Sequence, residues 1–330
     1  MEPYQQLETE FGAWVGVENV IACASGTAAL HLALESLQLP PSAGVILPDY
    51  TMVACARAVA LAGLRPIFVD CGPDLLMDPE LLELAAERYP AAAIMAVHVY
   101  SRRCAMGAVH EVAGKYDLKV VEDLAEAHGV PPDARSDAAC WSFYRNKIIA
   151  GEEGGAVAFR DSEAAILASQ LRSLGFTAAH DFVHVPRGHN YRMSNAHAAA
   201  ILTSLRAVEA NLFARRRAEA VYDRACPPAW RLSPRDAPWV YDLRIPGLYR
   251  ETQLAVVREL NADGVAARVG FWPMSRQPEF RDQRLVARPG LVVADAAGRE
   301  VLYLPLLPGP ENEAAAERIF ASVGRHVDGV

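Results

Sequence analysis

From residue 19 to about 123 the chain alternates short apolar runs with longer stretches of helical period, and this alternation limits its fold more than any other feature. "NVIACA", "GVILP", "PIFVD", "AAIMAVHVY" and "LKVVED" read as strands; "GTAALHLALESL", "TMVACARAVALAG", "PELLELAAER" and "MGAVHEVAGKY" read as the helices between them. The strand runs are continuously apolar, which suits strands buried on both faces. The expectation is therefore an α/β fold, a mostly parallel central sheet with helices on both faces. Ligands of such sheets sit outside the carboxyl ends of the strands.

Residues 137–160 continue the sheet with "AACWSF" and "GAVAFR", followed by helices at 161–174 and 194–224. The stretch "CPPAWRLSPRDAP" reads as the passage from a large α/β domain, residues 1–225, into a smaller C-terminal α+β domain, residues 226–330. That second part offers strands "VYDLRI" and "VLYLP", helix "ETQLAVVRELNADG" and a last helix from about 311 to 325. A chain of 330 residues that is 52% hydrophobic can bury a core without staples. Its six cysteines lack C-x-x-C spacing, and several lie in apolar runs, so buried thiols in a reducing compartment are expected. "MEPYQQLETEFGAW" has no basic region followed by an apolar run, and no long apolar window follows, so the expectation is a soluble cytoplasmic protein without a membrane span. Net charge is −8 and the arginines are scattered, which argues against nucleic-acid binding. The run Arg215, Arg216, Arg217 reads as a solvated helix face or a subunit contact.

Three of the 32 basic residues are lysine and 29 are arginine. Arginine serves surface charge as well as lysine does, but only lysine can lose its proton when buried and act as a nucleophile. Lys115 and Lys119 flank a helix-to-strand turn and read as surface lysines. Lys147 sits in the apolar, glycine-bound stretch "SFYRNKIIAGEEGG" and reads as chemical. Upstream, Ser25, Gly26 and Thr27 lie between a strand and a helix. Free amides and the helix dipole would meet a phosphate there, although the same residues serve equally as an ordinary cap at a tight turn. Asp123 closes a buried strand at the ligand edge, where a carboxylate can hold a proton on a heterocyclic nitrogen such as that of pyridoxal phosphate; it could instead cap the following segment.

Phosphate cradle, acidic ring partner and amine, in this order, together resemble the DegT/StrS sugar aminotransferases, fold-type-I pyridoxal-phosphate enzymes. The likeness runs from about residue 10 to the C-terminus through "SGTAAL", "PDYTMVA", "GLRPIFVD", "VVEDLAEAHG", "SFYRNKIIAGEEGG" and "GHNYRMSNAHAAA". The resemblance implies that Lys147 forms the Schiff base, that Asp123 binds the pyridine nitrogen, and that Gly26, Thr27 and Ser142 hold the phosphate. It further implies that Glu126 stands near the phenolic oxygen and that Met52 packs over the ring, where many members have an aromatic. Asn190 would reach the phosphate in the partner subunit, making the active unit a homodimer. The implied reaction moves an amino group from an amino acid, glutamate above all, to a keto group of a nucleotide-linked deoxysugar.

Several features depart from the family. The N-terminal helix is truncated, Ser101 follows the aromatic of "VHVY" where glycine is common, and Ser275 stands where many relatives offer a histidine to substrate. These leave the cofactor chemistry intact and open two rival readings, a transaminase for a non-sugar ketone such as a cyclitol, or a non-catalytic regulatory protein that binds the cofactor. A sugar dehydratase on this scaffold is disfavoured, since such relatives replace the lysine with histidine. His180, His184 and His189 invite a metal site, but Pro186 and Gly188 point to a loop and no carboxylate or cysteine lies at ligand spacing, so none is expected. His98 and His128, near strand ends, read as satisfied core histidines or as substrate contacts.

Overall fold

The alternation winds into one sheet. The computed structural model describes residues 1–177, 179, 182–290, 292–306 and 312–327. The chain begins with α1 (Pro3–Val15), β1 (Val20–Cys23), α2 (Gly26–Ser36), β2 (Gly44–Pro48), α3 (Val53–Leu61), β3 (Arg65–Val69), α4 (Pro79–Arg88) and β4 (Ala91–Val97). It continues through α5 (Met106–Tyr116), β5 (Lys119–Asp123), β6 (Ala138–Ser142), β7 (Gly155–Phe159), α6 (Ser162–Arg172), α7 (Asn195–Arg206) and α8 (Val208–Ala225). The remainder supplies β8 (Val240–Arg244), α9 (Arg250–Ala262), β9 (Arg268–Val269), β10 (Arg284–Val286), α10 (Val293–Glu300), β11 (Val301–Pro305) and α11 (Asn312–Val327).

The large sheet has the order β1-β7-β6-β5-β4-β2-β3-β10. Its pairs are parallel except those of β7, which runs antiparallel to both β1 and β6. A short connection, residues 143–154, joins β6 to β7 without a helical crossover, and a connection of that kind returns the chain antiparallel. Register then sets the site. Cys23 and Ser142 both pair with Gly155, while Asp123 pairs with Cys140 and Val97, so the turn after β1, the loop after β6 and the end of β5 meet at one edge.

Two expected elements differ. The run "AAIMAVHVY" stops as a strand at Val97 and turns through Val99–Ser101, with Tyr100 and Ser101 at φ 51° and 66°. Ser101 thus occupies left-handed backbone that favours glycine. The N-terminal segment, expected as a shortened helix, builds a 13-residue helix opened by a reciprocal Glu2–Gln5 capping box. It plants Phe11 edge-on against Trp141 and Phe143, each 5.1 Å away.

A second, smaller hydrophobic core gathers around the β8-β11-β9 sheet, with Tyr222, Tyr241, Leu243, Leu304 and Phe320 inside it. The segment between β9 and β11 folds back onto the large sheet. β10 pairs with β3, and Asp70 accepts the first amides of α10 from Val293 and Ala294, each at 2.8 Å. The six cysteines are unpaired and buried. Among the described residues no helix is long and apolar enough to cross a membrane.

Asp242, fully buried on β8, is held by Arg102 at 2.7 and 3.1 Å and by Arg235 at 2.7 Å. Burial favours its neutral form, but the two guanidiniums prevail and keep its pKa below the ordinary carboxylate value. Removing one partner of a buried ion cluster strands the others, so Asp242→Ala is expected to cost about 3–5 kcal/mol of stability, read from the denaturant midpoint. A loss within about 0.5 kcal/mol, typical of an exposed pair, would contradict this.

Candidate active site

A cavity of about 430 Å³ opens at the sheet edge where these loops meet, lined by Ser25, Gly26, Thr27, Met52, Asp123, Glu126, Ser142 and Lys147. Eight of the nine expected site residues therefore share one space. Asn190 does not; it is exposed on the stretch after α6, paired through its backbone with Ser173.

Ser25 caps α2 in extended conformation, its hydroxyl accepting the Ala28 amide at 3.1 Å. The cap reading is therefore correct, and it leaves the amides of Gly26 and Thr27 without acceptors inside the helix. Gly26 is required by contact, since a Cβ there would lie 2.8 Å from the Ser142 Cβ. A Cβ on Gly155 would lie 2.3 Å from the Ser25 carbonyl oxygen. Gly26→Ala is expected to push the Ser142 strand end away, costing about 1–3 kcal/mol before a helix-propensity gain of at most about 1 kcal/mol. An unchanged or raised denaturant midpoint would contradict this.

Asp123 ends β5 with both oxygens engaged. Oδ1 accepts the Ala125 amide at 2.9 Å and Oδ2 the Cys55 thiol at 3.1 Å. The following residues, 124–130, form turns rather than a helix, so Glu126 does not stand on a helix's first turn. Its Oε2 accepts the Tyr100 amide at 2.8 Å, which the left-handed turn at residues 100 and 101 presents. Burial pushes the Glu126 carboxyl up to about 7 against the pull of Lys147.

Lys147 lies in the loop between β6 and β7, with its Nζ 3.9 Å from the centre of the Trp239 ring. Burial lowers its pKa below the ordinary lysine value, while Glu126, Asp123 and Cys55 oppose the shift. The loop is fixed at many points. Ile149 donates its amide to His128 Nδ1 at 3.0 Å, Ala150 to Ser204 Oγ at 3.0 Å, and the Trp239 indole to the Asn146 carbonyl at 2.7 Å. Gly151 and Gly154 press on Ile201 of α7, which explains the glycines of "GEEGG" as close approaches. Lys115 and Lys119 are exposed and paired with Glu83 and Asp137.

Sequence reasoning missed Thr51, Trp239, Phe271 and Tyr303, which line the same cavity. Phe271 stacks on Tyr100 at 5.3 Å and 6°, and Tyr303 lies 6.0 Å from Trp239, making an aromatic wall. The last three come from the C-terminal third of the chain, and no local spacing announces them. Ser275 is turned elsewhere: its amide and hydroxyl donate to Asp49 at 2.7 and 2.8 Å. Arg215 is no simple solvated cation, since it donates to the Trp239 carbonyl at 2.8 Å.

His98 accepts the Cys104 amide at Nδ1 and meets Glu122 at 3.0 Å through Nε2, a satisfied core histidine. Burial drives His128 down to about 3, leaving it neutral as an acceptor for the lysine loop. His180 lies outside the described residues. His184 contacts the Leu174 carbonyl, whereas His189 meets Glu35 of α2 at 2.6 Å beside His31. The histidines therefore do have a carboxylate neighbour, with ligand atoms of His31, Glu35 and His189 within 4.8 Å of one another. It sits 154 residues upstream of His189, beyond any spacing rule.

The sequence profile described as the DegT/DnrJ/EryC1/StrS aminotransferase family matches residues 2–323. A GDP-perosamine synthase of Caulobacter vibrioides is 34% identical, with 96% of this chain and 88% of that protein aligned. A UDP-2-acetamido-2-deoxy-3-oxo-D-glucuronate aminotransferase of Pseudomonas aeruginosa is 31% identical over 92% and 85% of the two chains. The crystal structure of a 3-amino-5-hydroxybenzoic acid synthase superimposes with a TM-score of 0.87 at 26% identity, covering 98% of this chain and 91% of that one.

Proposed function

The chain belongs to the DegT/DnrJ/EryC1/StrS aminotransferase family, and we propose that it transfers an amino group from L-glutamate to the keto group of a nucleotide-linked deoxysugar. The observation that carries this reading is the meeting of Lys147, Asp123 and the Ser25–Thr27 turn in one cavity. Enzymes of this family use pyridoxal phosphate, and the residues here fit it. The turn offers two amides without helical acceptors beside a glycine where a Cβ would collide, a buried carboxylate faces the same space, and an amine of lowered basicity completes the set.

In this reading Gly26, Thr27 and Ser142 would hold the phosphate, Asp123 would hold a proton on the ring nitrogen, Glu126 would serve the phenolic oxygen, and Met52 would pack against the ring. When bound, the cofactor supplies an electron-accepting ring. Lys147, whose amine would hold the cofactor at rest, would take the proton from the donor's α-carbon. Its lowered pKa leaves a larger neutral fraction near neutrality than a surface lysine has. The pinned loop keeps Nζ in place between the two half-reactions. Trp239, Phe271 and Tyr303 exclude water from one side of the cavity. Exposed Asn190 would complete the phosphate site of a second copy, so the working unit is a homodimer, and six buried thiols suit a reducing cytoplasm.

A second reading, amination of a non-sugar cyclic ketone, is favoured by the likeness to a synthase of an aminobenzoic acid and by Ser275, which is occupied with Asp49. The test incubates the glutamate-treated, aminated holoenzyme with 3-keto and 4-keto sugar nucleotides and with keto-cyclitols, following return of the yellow form. Turnover with a sugar nucleotide supports the first reading, and turnover with cyclitols alone the second. A bound cofactor that glutamate never converts would point to a non-catalytic regulatory protein.

A further inference from the structure

Asp123 is supported from beneath by the first turn of α3. The Cys55 thiol donates to Asp123 Oδ2 at 3.1 Å, and the Thr51 hydroxyl lies 3.3 Å from the Cys55 sulfur. Because the thiol hydrogen is committed to the carboxylate, Thr51 is the donor in the second contact. Thr51 and Cys55 are fully buried and Asp123 nearly so, which leaves water little part in the arrangement. Burial, reinforced by the charge of Asp123, raises Cys55 well above the ordinary thiol value, so it remains an S–H donor.

We propose that Cys55 is a positioning residue of the transamination reaction, setting through a weak S–H donor, itself backed by Thr51, how much negative charge Asp123 presents to the ring nitrogen of the cofactor. The inference rests on the reading of Asp123 given above. A hydroxyl in this place would form a shorter, stronger charge-assisted bond and draw charge off Oδ2; a methyl group would draw none. The thiol is intermediate. Ionisable groups that interact electrostatically with Asp123 include Lys147, Glu126 and, alongside on β6, Cys140, while Tyr144, Glu153 and Tyr303 also line the cavity; all are common to the variants below.

The test uses holoenzyme loaded with pyridoxal phosphate isotopically labelled at its ring nitrogen, whose protonation is followed by NMR as a function of pH. Cys55→Ser is expected to lower the ring-nitrogen midpoint by about one pH unit, with kcat reduced about tenfold and KM for the acceptor within about twofold. Cys55→Ala is expected to raise the midpoint, and Thr51→Val to raise it less. Shifts of opposite sign for Ser and Ala cannot come from loosened packing, which would move both the same way. Midpoints that move together, or do not move, overturn the proposal. Asp123→Asn separates the two ideas: if it leaves the ring nitrogen titrating as in the parent protein, the reading of Asp123 fails and the Cys55 proposal with it, whereas a shift in Asp123→Asn with none in the Cys55 variants overturns the Cys55 proposal alone.

Discussion

Lys147→Arg is expected to lose transamination by at least about 10⁴-fold while keeping the fold. Arginine preserves the positive charge and the approach to Trp239 but cannot give up its proton, so it can neither condense with an aldehyde nor accept the α-proton. Lys147→Ala should lose as much, with part of the activity restored by a small primary amine in solution, because the missing group is a base rather than a brace. The environment also fixes the direction of the pH effect. A lowered pKa means that Lys147 becomes neutral at lower pH than Lys115, whose Glu83 partner raises its pKa. Competitive labelling of the two amines across pH should place the Lys147 midpoint lower; equal midpoints would show that the cavity does not shape this amine.

Asp123→Asn is expected to lower kcat by about 10³-fold with little change in acceptor KM. The amide matches the carboxylate in shape and can still accept at Oδ1, but it carries no charge to hold a proton on the ring nitrogen. Because the Ala125 and Cys55 donors were arranged for a carboxylate, the Asn amino group would face a donor at one position. A modest loss of stability should accompany the loss of rate. A variant with parental kcat would show that Asp123 is only a turn cap.

Most of the large sheet was legible because its central strands are largely buried on both faces and mostly apolar, as in "GVILP", which forms β2 over its whole length, whereas the three-residue edge strand β10, opening on exposed Arg284, was not. The residues at strand ends were legible too. Ser25 and Asp123 follow from where an apolar run stops, Ser142 was indicated only by the family resemblance, and a lone lysine in an apolar stretch of an arginine-rich chain stands out. Local pattern failed where the backbone leaves its period to serve the site. "HVY" looks like strand but turns left-handed to offer the Tyr100 amide to Glu126. The aromatic wall and the Glu35–His189 contact depend on which distant segments the topology brings together, and no spacing within either segment encodes that. Cys55 was visible only as a buried thiol; its bond to Asp123 spans 68 residues.

The role proposed for the Lys147 amine is to bond the cofactor's aldehyde carbon. Borohydride reduction of the yellow holoenzyme, followed by peptide mapping, tests it directly. A reduced pyridoxyl group on the peptide containing "NKIIAGEEGG", absent from the Lys147→Arg protein, is the predicted result; a pyridoxyl group on Lys115 or Lys119, or on no peptide, would contradict the account.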